Sequence, residues 1–224
     1  MYDIVFISYG EKYAEDNWNL LKNRYPTAKR VANVKGIHQA HIKAAKKCFT
    51  KMFWVVDADA QLVDDFNFDY EVDSYNLETV HVWRSINPVN GLKYGYGGVK
   101  LLPRKLTINM DTNKPDMTTS ISDKFCAVDK IANVTAFNTS EFETWKSAFR
   151  ECAKLASKTI DRQNEDETNE RLKIWTTVGN GDFGRDAIRG ANAGMEFGIS
   201  NSDNLQLIND FDWLYEQFSK HTLG

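Results

Sequence analysis

No stretch of this 224-residue chain approaches the roughly 20 consecutive apolar residues that a bilayer-spanning helix needs. The expected protein therefore has no membrane partner. The first residues, MYDIVFISYG, lack a basic segment and a cleavage signal, so they read as a first strand rather than an export signal. Cysteine is scarce. Cys48, Cys126 and Cys152 are odd in number and far apart, and none forms a CxxC pair. That spacing speaks against a zinc cluster and for buried free thiols in a reducing compartment, the cytoplasm. An excess of positive charge is missing too: 28 Lys and Arg against 31 Asp and Glu give a net charge of −3. A general electrostatic binder of nucleic acid is thereby disfavoured. Internal repeats, low-complexity linkers and a clear domain boundary are also lacking.

What the chain does have is apolar mass. Hydrophobic residues make up 42%, with 13 Phe, 9 Tyr and 6 Trp, enough for a sizeable core and contrary to disorder. The length suits one large domain, residues 1–224. Charge is unevenly placed: residues 64–78 carry six acids and no Lys or Arg, whereas residues 84–110 carry five basic residues and no acids. Such a change of sign either builds a face that meets an anion or lets two solvated loops pair with each other.

Hydrophobic periodicity gives the element order. YDIVFIS reads as a strand, residues 11–24 as a helix with Ala14, Trp18 and Leu21 at helical spacing, and Lys29 to Val34 as a second strand. A helix follows Gly36 with the stripe Ile37, Ala40, Ala44, Ala45 and Cys48, and MFWVV is a third strand. This β-α-β-α-β order predicts an α/β fold with a mixed, mainly parallel sheet flanked by helices. Ligands of such sheets bind beyond the carboxyl ends of the strands. Later, TVHVW is a strand candidate, and Asn90-Gly91 supports a hairpin. Ser140 with Glu143 forms a capping box for a long helix, and Ala187, Ala191 and Gly194 mark a small-residue helix. Residues 161–173 are a solvated helix or a loop, and Leu207 to Phe218 a C-terminal helix.

The third strand ends in FWVVDADA, which places Asp57 and Asp59 one residue apart at the predicted ligand edge. On an extended segment residues i and i+2 point the same way. The two carboxylates would converge on a hard cation, Mn²⁺ or Mg²⁺, which takes one or two carboxylates and fills its shell with water and phosphate oxygens. The bland alternative is a pair of strand-end acids that cap the following turn.

YDIVFISYG, the helix opened by KGIHQAH, and FWVVDADA together resemble a glycosyltransferase of the GT-A (Rossmann-like) fold, of the family 2 type. HVWRSINPVNGLKYGYGGVKLLP and WKSAFREC further resemble small glycosyltransferase-like proteins of tailed bacteriophages, which would place the chain in a host cytoplasm. The resemblance implies a nucleotide-sugar donor, a UDP-sugar favoured, a divalent metal and an acceptor hydroxyl. It implies a nucleotide-binding half in residues 1–60, an acceptor-side half in 79–160 and a C-terminal helical part in 161–224. Ser8, Tyr9 and Glu11 would line the nucleoside site, and Lys35, His38 and His41 lie where donor contacts are placed, although this stretch departs from the family's Ala-Arg-Asn pattern. Asp59 would bind the metal. Asp57 would hold the ribose or join the metal.

An inverting member would need a carboxylate base near the start of a later helix. Position points to Glu141, then Glu151, then Asp123; a retaining enzyme would need none of them. Trp83, Arg84, Tyr96, Gly97 and Gly98 would form the acceptor side, with Arg84, Lys93 and Lys100 available to a diphosphate or to a phosphate-bearing acceptor. A hydroxymethylated base in phage DNA, a glycan and a protein hydroxyl are the acceptor classes. His38 and His41 are three apart, not at HExxH spacing, and read as surface or cleft-edge residues. Two rival functions stand beside this one. The first is an inactive GT-A-like domain that binds a nucleotide or a partner. The second is a haloacid-dehalogenase-like phosphatase, whose motif wants Thr or Val where this chain has Gln61 and normally ends the first strand.

Overall fold

The structure, a computed structural model, describes residues 1–95, 97–158 and 164–222. Strand β1 (Asp3–Ser8) is apolar on both faces, as a strand covered from two sides must be. Ile4 and Phe6 enter one core cluster and Val5 another. Helix α1 (Ala14–Arg24) places Ala14 and Leu21 on the Ile4–Phe6 side. After β2 (Lys29–Ala32), helix α2 (Ile37–Lys46) places Ala44 and Ala45 on the Val5 side. Strand β3 (Met52–Asp57) alternates in the same way, with Trp54 and Val56 on one face and Phe53 and Val55 on the other. Trp54 packs edge-on against Phe68 at 5.0 Å and tilted against Trp83 at 4.5 Å. Burial of a large apolar side chain of this kind is worth about 1.5–3 kcal/mol.

The chain continues through β4 (Ala60–Leu62), β5 (Val80–Ile86), β6 (Lys93–Tyr94), β7 (Val99–Pro103), the short helices α3 (Arg104–Ile108) and α4 (Met117–Ile121), and β8 (Phe125–Thr135). The eight strands among the described residues form one sheet in the order β2-β1-β3-β7-β5-β8-β4, with β6 beside β5. The fold is mixed α/β, as expected. Parallel pairing holds β2, β1 and β3 together and joins β5 to β8; β7 runs antiparallel to both neighbours, β3 and β5. The parallel half matters for the site. Its register sets Ser8 opposite Ala32 and Ile7 opposite Asp57, so three strands end at one edge. The hairpin expected at Asn90-Gly91 joins β5 to β6; Gly91 has φ 75°, and the Asn90 side chain accepts from the Leu92 N–H at 3.1 Å.

Contacts divide the chain into two compact units, Met1–Asn87 with Lys93–Ala136, and Pro88–Leu92 with Phe137–Gly224. The second holds α5 (Glu141–Ser157), α6 (Glu165–Thr177), α7 (Gly184–Ser200) and α8 (Phe211–Thr222). Ser140 caps α5 by accepting from the Glu143 N–H at 3.1 Å, while the Glu143 carboxylate lies 2.6 Å from Lys146. Residues 161–163 of the charge-rich segment lie outside the described residues; from Glu165 the segment is helix α6, capped by Asn164. The predicted C-terminal helix begins later than expected. A 3₁₀ turn (Ser202–Asn209) precedes it, and Asp210 starts α8 by accepting from the Asp212 and Trp213 N–H groups at 3.1 Å each. An aspartate caps a helix start better than it continues a helix interior.

All three cysteines are free, with Cys48 and Cys152 buried and Cys126 partly exposed. No helix among the described residues is long and apolar enough to cross a membrane. The oppositely charged segments find partners elsewhere: Glu78 pairs with Lys124, Arg84 with Asp129 and Lys100 with Asp57.

Candidate functional site

Two neighbouring features occupy the carboxyl edge of β2, β1 and β3 in the first unit. The first is a cavity of about 290 Å³ whose walls include Ser8, Gly10, Glu11, Arg30, Ala32 and Asn33. Its shape follows from local chemistry. Beyond β1 the chain turns at Gly10 (φ 87°), and the Glu11 carboxylate folds back to accept from the Tyr9 N–H at 2.7 Å. From β2, Arg30 reaches across to Ser8 Oγ at 3.1 Å and binds Glu15 through both terminal nitrogens at 2.9 and 2.7 Å. Asn33, in the left-handed region at φ 58°, donates its N–H to the Ser8 carbonyl at 2.9 Å. Of the three residues expected at the nucleoside site, Ser8 and Glu11 line this cavity, and Tyr9, 50% exposed, is not among its wall residues. Arg30 and Asn33 were not anticipated from the sequence. The signal for them was a basic residue in the short strand KRVA and the polar residue just after it.

The second feature is the Asp57–Asp59 segment. Strand β3 ends at Asp57, and Ala58 and Asp59 already turn toward β4. The expectation that strand alternation aligns the two carboxylates is therefore corrected: a turn brings them near each other. Three hydrogen bonds hold that turn. The Asp57 N–H donates to the Gly98 carbonyl at 2.9 Å, Asn17 Nδ2 to the Ala58 carbonyl at 2.8 Å, and the Ala136 N–H to the Asp59 carbonyl at 2.7 Å.

Lys100 completes the segment. It stands on β7 opposite Val55, and its Nζ lies 2.6 Å from Asp57 Oδ2. The same nitrogen donates to the Gly97 carbonyl. The lysine side chain is only 4% exposed, against 33% for that of Asp57. Burial pushes the Asp59 carboxyl up to about 7, the charges of Asp57 and Glu11 push the same way, and Lys100 opposes them. His41, on α2, is 2% exposed. Its Nδ1–H donates to the Ile37 carbonyl at 2.8 Å, which leaves the lone pair on Nε2, a buried atom without a hydrogen-bond partner. Burial and then the positive charge of Lys100 lower its pKa to about 3, so the ring is neutral at pH 7. His38 is buried as well, 3.1 Å from Ser120 Oγ through Nε2. Both histidines were expected at a surface or cleft edge; the apolar packing of α2 against the sheet encloses them instead.

The remaining candidates scatter. Lys35 is exposed ahead of α2. Trp83 is 2% exposed among Trp54, Phe66 and Tyr70, so it belongs to the core and not to an acceptor surface. Arg84 pairs with Asp129 at 2.8 Å, beside the irregularity in β5–β8 pairing. Gly97 and Gly98 adjoin the Asp57–Asp59 segment, through the carbonyls that meet Lys100 and the Asp57 N–H. Tyr96 lies outside the described residues. Asp123 pairs with Lys114 at 3.2 Å. Glu141 and Glu151 belong to the second unit. Glu141 is exposed in the first turn of α5, and Glu151 is largely covered, 3.6 Å from Lys154.

The aspartates do not fit a divalent metal as they stand. One of the two carboxylates is already neutralised by a buried ammonium. A dication about 4 Å from that ammonium would be opposed by about 8 kcal/mol at an effective dielectric constant of about 20. Driving the lysine off Asp57 instead strands a buried charge, at a cost of about 3–5 kcal/mol.

No family model matches the chain, and no curated protein matches it. Among solved structures it is similar to HddC from Yersinia pseudotuberculosis, at 15% identity over 59% of this chain and 92% of that one, with a TM-score of 0.36. A likeness this distant carries no inference about activity.

Proposed function

We propose that the chain is a nucleotide-sugar-dependent transferase that moves a sugar from a nucleoside diphosphate to an acceptor hydroxyl. One observation carries the reading: a cavity at the ends of parallel strands lies beside two carboxylates and a buried lysine at the end of β3. That edge is where α/β sheets of this kind bind ligands. Ser8, Glu11, Arg30 and Asn33 would surround the nucleoside, and Asp57, Asp59 and Lys100 would stand by the diphosphate. In the reaction the bond from the anomeric carbon to the β-phosphate oxygen breaks and its electron pair stays on that oxygen. The acceptor oxygen bonds to the anomeric carbon, and its proton passes to a base. Hydroxymethylated DNA, a glycan or a protein would supply the hydroxyl.

A second reading, nucleotide binding without turnover, is favoured by the engagement of Asp57 with Lys100. A thermal-shift panel of UDP-, GDP-, ADP- and CDP-sugars tests what both share. A nucleotide sugar present at about 100 times its dissociation constant adds about 2.7 kcal/mol of stability and raises the melting temperature. A panel in which no member shifts the melting temperature contradicts both readings. Adding hydroxymethylated DNA, oligosaccharide or peptide acceptors and following glycosylated product then separates transfer from binding alone.

A further inference from the structure

We propose that Lys100 is the resident cation of this site and meets the nucleotide diphosphate directly, so that nucleotide binding needs no divalent metal. The inference rests on the nucleotide-binding reading above and adds to it the group that receives the phosphates.

Three observations carry it. First, Lys100 is held where a bridging cation would have to be. The antiparallel register fixes it opposite Val55, two residues before Asp57, and the Asp57 N–H to Gly98 bond fastens the two strands at that end. Second, its donors are partly committed. An ammonium has three N–H groups. Asp57 and the Gly97 carbonyl take two, and among the described residues no further partner takes the third. A lysine binds phosphate as a point charge, without the fixed fork of arginine, so one remaining donor suffices. Third, the backbone beside it leaves room. Gly97 has φ 85°, and a side-chain carbon built there would meet nothing within 4 Å. A phosphate group can therefore come close to the main chain at this point.

Lys12 also lines the cavity, its Nζ 5.4 Å from the centroid of the Tyr13 ring, while three further cations of this unit are committed elsewhere. Arg30 is bound by Glu15 and Ser8, Lys29 by Asp3 and the Lys47 carbonyl, and Arg104 donates to the Ala45 carbonyl. Asp57 acts on the ligand through Lys100: it fixes the ammonium's position.

The test is calorimetric titration with UDP, GDP, ADP and CDP, and with the matching nucleosides, in EDTA and again in excess Mn²⁺. Wild-type protein is expected to bind its preferred diphosphate equally in both. Lys100→Met should weaken diphosphate binding about tenfold to a hundredfold, the range for one hydrogen bond to a charged group, and leave nucleoside binding unchanged. Lys100→Arg should recover most of the loss. Diphosphate affinity that appears only with Mn²⁺ overturns the inference and leaves the nucleotide-binding reading standing. Equal losses for nucleoside and diphosphate in Lys100→Met make the lysine a structural residue and overturn it too. If no nucleotide binds under either condition, the broader reading fails and this one with it. Should Lys100→Met not fold, the Asp57→Asn/Lys100→Met double variant removes both charges together. A requirement for Mn²⁺ in the wild-type protein overturns the inference without any variant.

Discussion

At the scale of single residues, two carboxylates at opposite ends of the sheet do different work. Asp3, at the start of β1, accepts from Lys29 Nζ at 2.6 Å, the Phe49 N–H at 2.6 Å, the Thr50 N–H at 3.0 Å and Thr50 Oγ1 at 3.1 Å. Burial alone would raise its pKa, but these bonds outweigh it and bring the value from 3.8 down to about 2. Because the folded pKa is the lower one, the stabilisation is complete above the unfolded value and is lost as pH falls toward 2. Asp3→Asn is expected to cost about 1–2 kcal/mol at pH 7. In urea denaturation across a pH series, the gap between variant and wild type should close between about pH 4 and pH 2. A gap that stays constant over that range would contradict the assignment. Asp57 instead holds a lysine at the carboxyl edge of the parallel strands. It was legible in the sequence, because an apolar strand that stops at two acids is unusual. Its partner was not. Lys100 is 43 residues away, and the pairing depends on the register of β3 with β7, which local periodicity does not encode.

At the scale of elements, the contact of α5 with α7 shows small residues used for close approach. A side-chain carbon at Gly190, Gly194 or Gly198 would fall 2.2, 2.1 or 2.4 Å from the carbonyl oxygen of Trp145, Phe149 or Ala153. One four-residue repeat therefore lies along another. Gly194→Ala, a good substitution for helix propensity, is expected to destabilise the protein by about 1–3 kcal/mol through backbone overlap. A melting temperature equal to or above that of wild type would refute the close packing. The small-residue character of α7 was readable from Ala187, Ala191 and Gly194. Its partner was not, since only the tertiary pairing matches that repeat to residues 145, 149 and 153. The break before α8 was missed for a similar reason: apolar spacing runs on through Asp210, and only the capping bonds reveal where the helix begins.

At the scale of the whole molecule, the parallel half of the sheet was legible and the other half was not. β2, β1 and β3 follow from a local alternation of strand and helix, which short crossovers turn into parallel neighbours. The order β7-β5-β8-β4 joins segments far apart in sequence, and β4 is only three residues long. The division into two units was equally hidden, because Pro88–Leu92 lies between two strands of the first unit yet groups with the second. The candidate site needs only the first unit: Ser8, Arg30, Asp57, Gly97 and Lys100 all lie within it. Nucleotide-sugar chemistry at that edge is the central claim, and release of nucleoside diphosphate from UDP-, GDP-, ADP- and CDP-sugars measures it most directly. The account predicts slow release from one of them in EDTA, reduced about tenfold to a hundredfold in Lys100→Met at donor concentrations below saturation. Failure to cleave any of the four sugars with or without Mn²⁺, or release of inorganic phosphate from phosphomonoesters in their place, would contradict it.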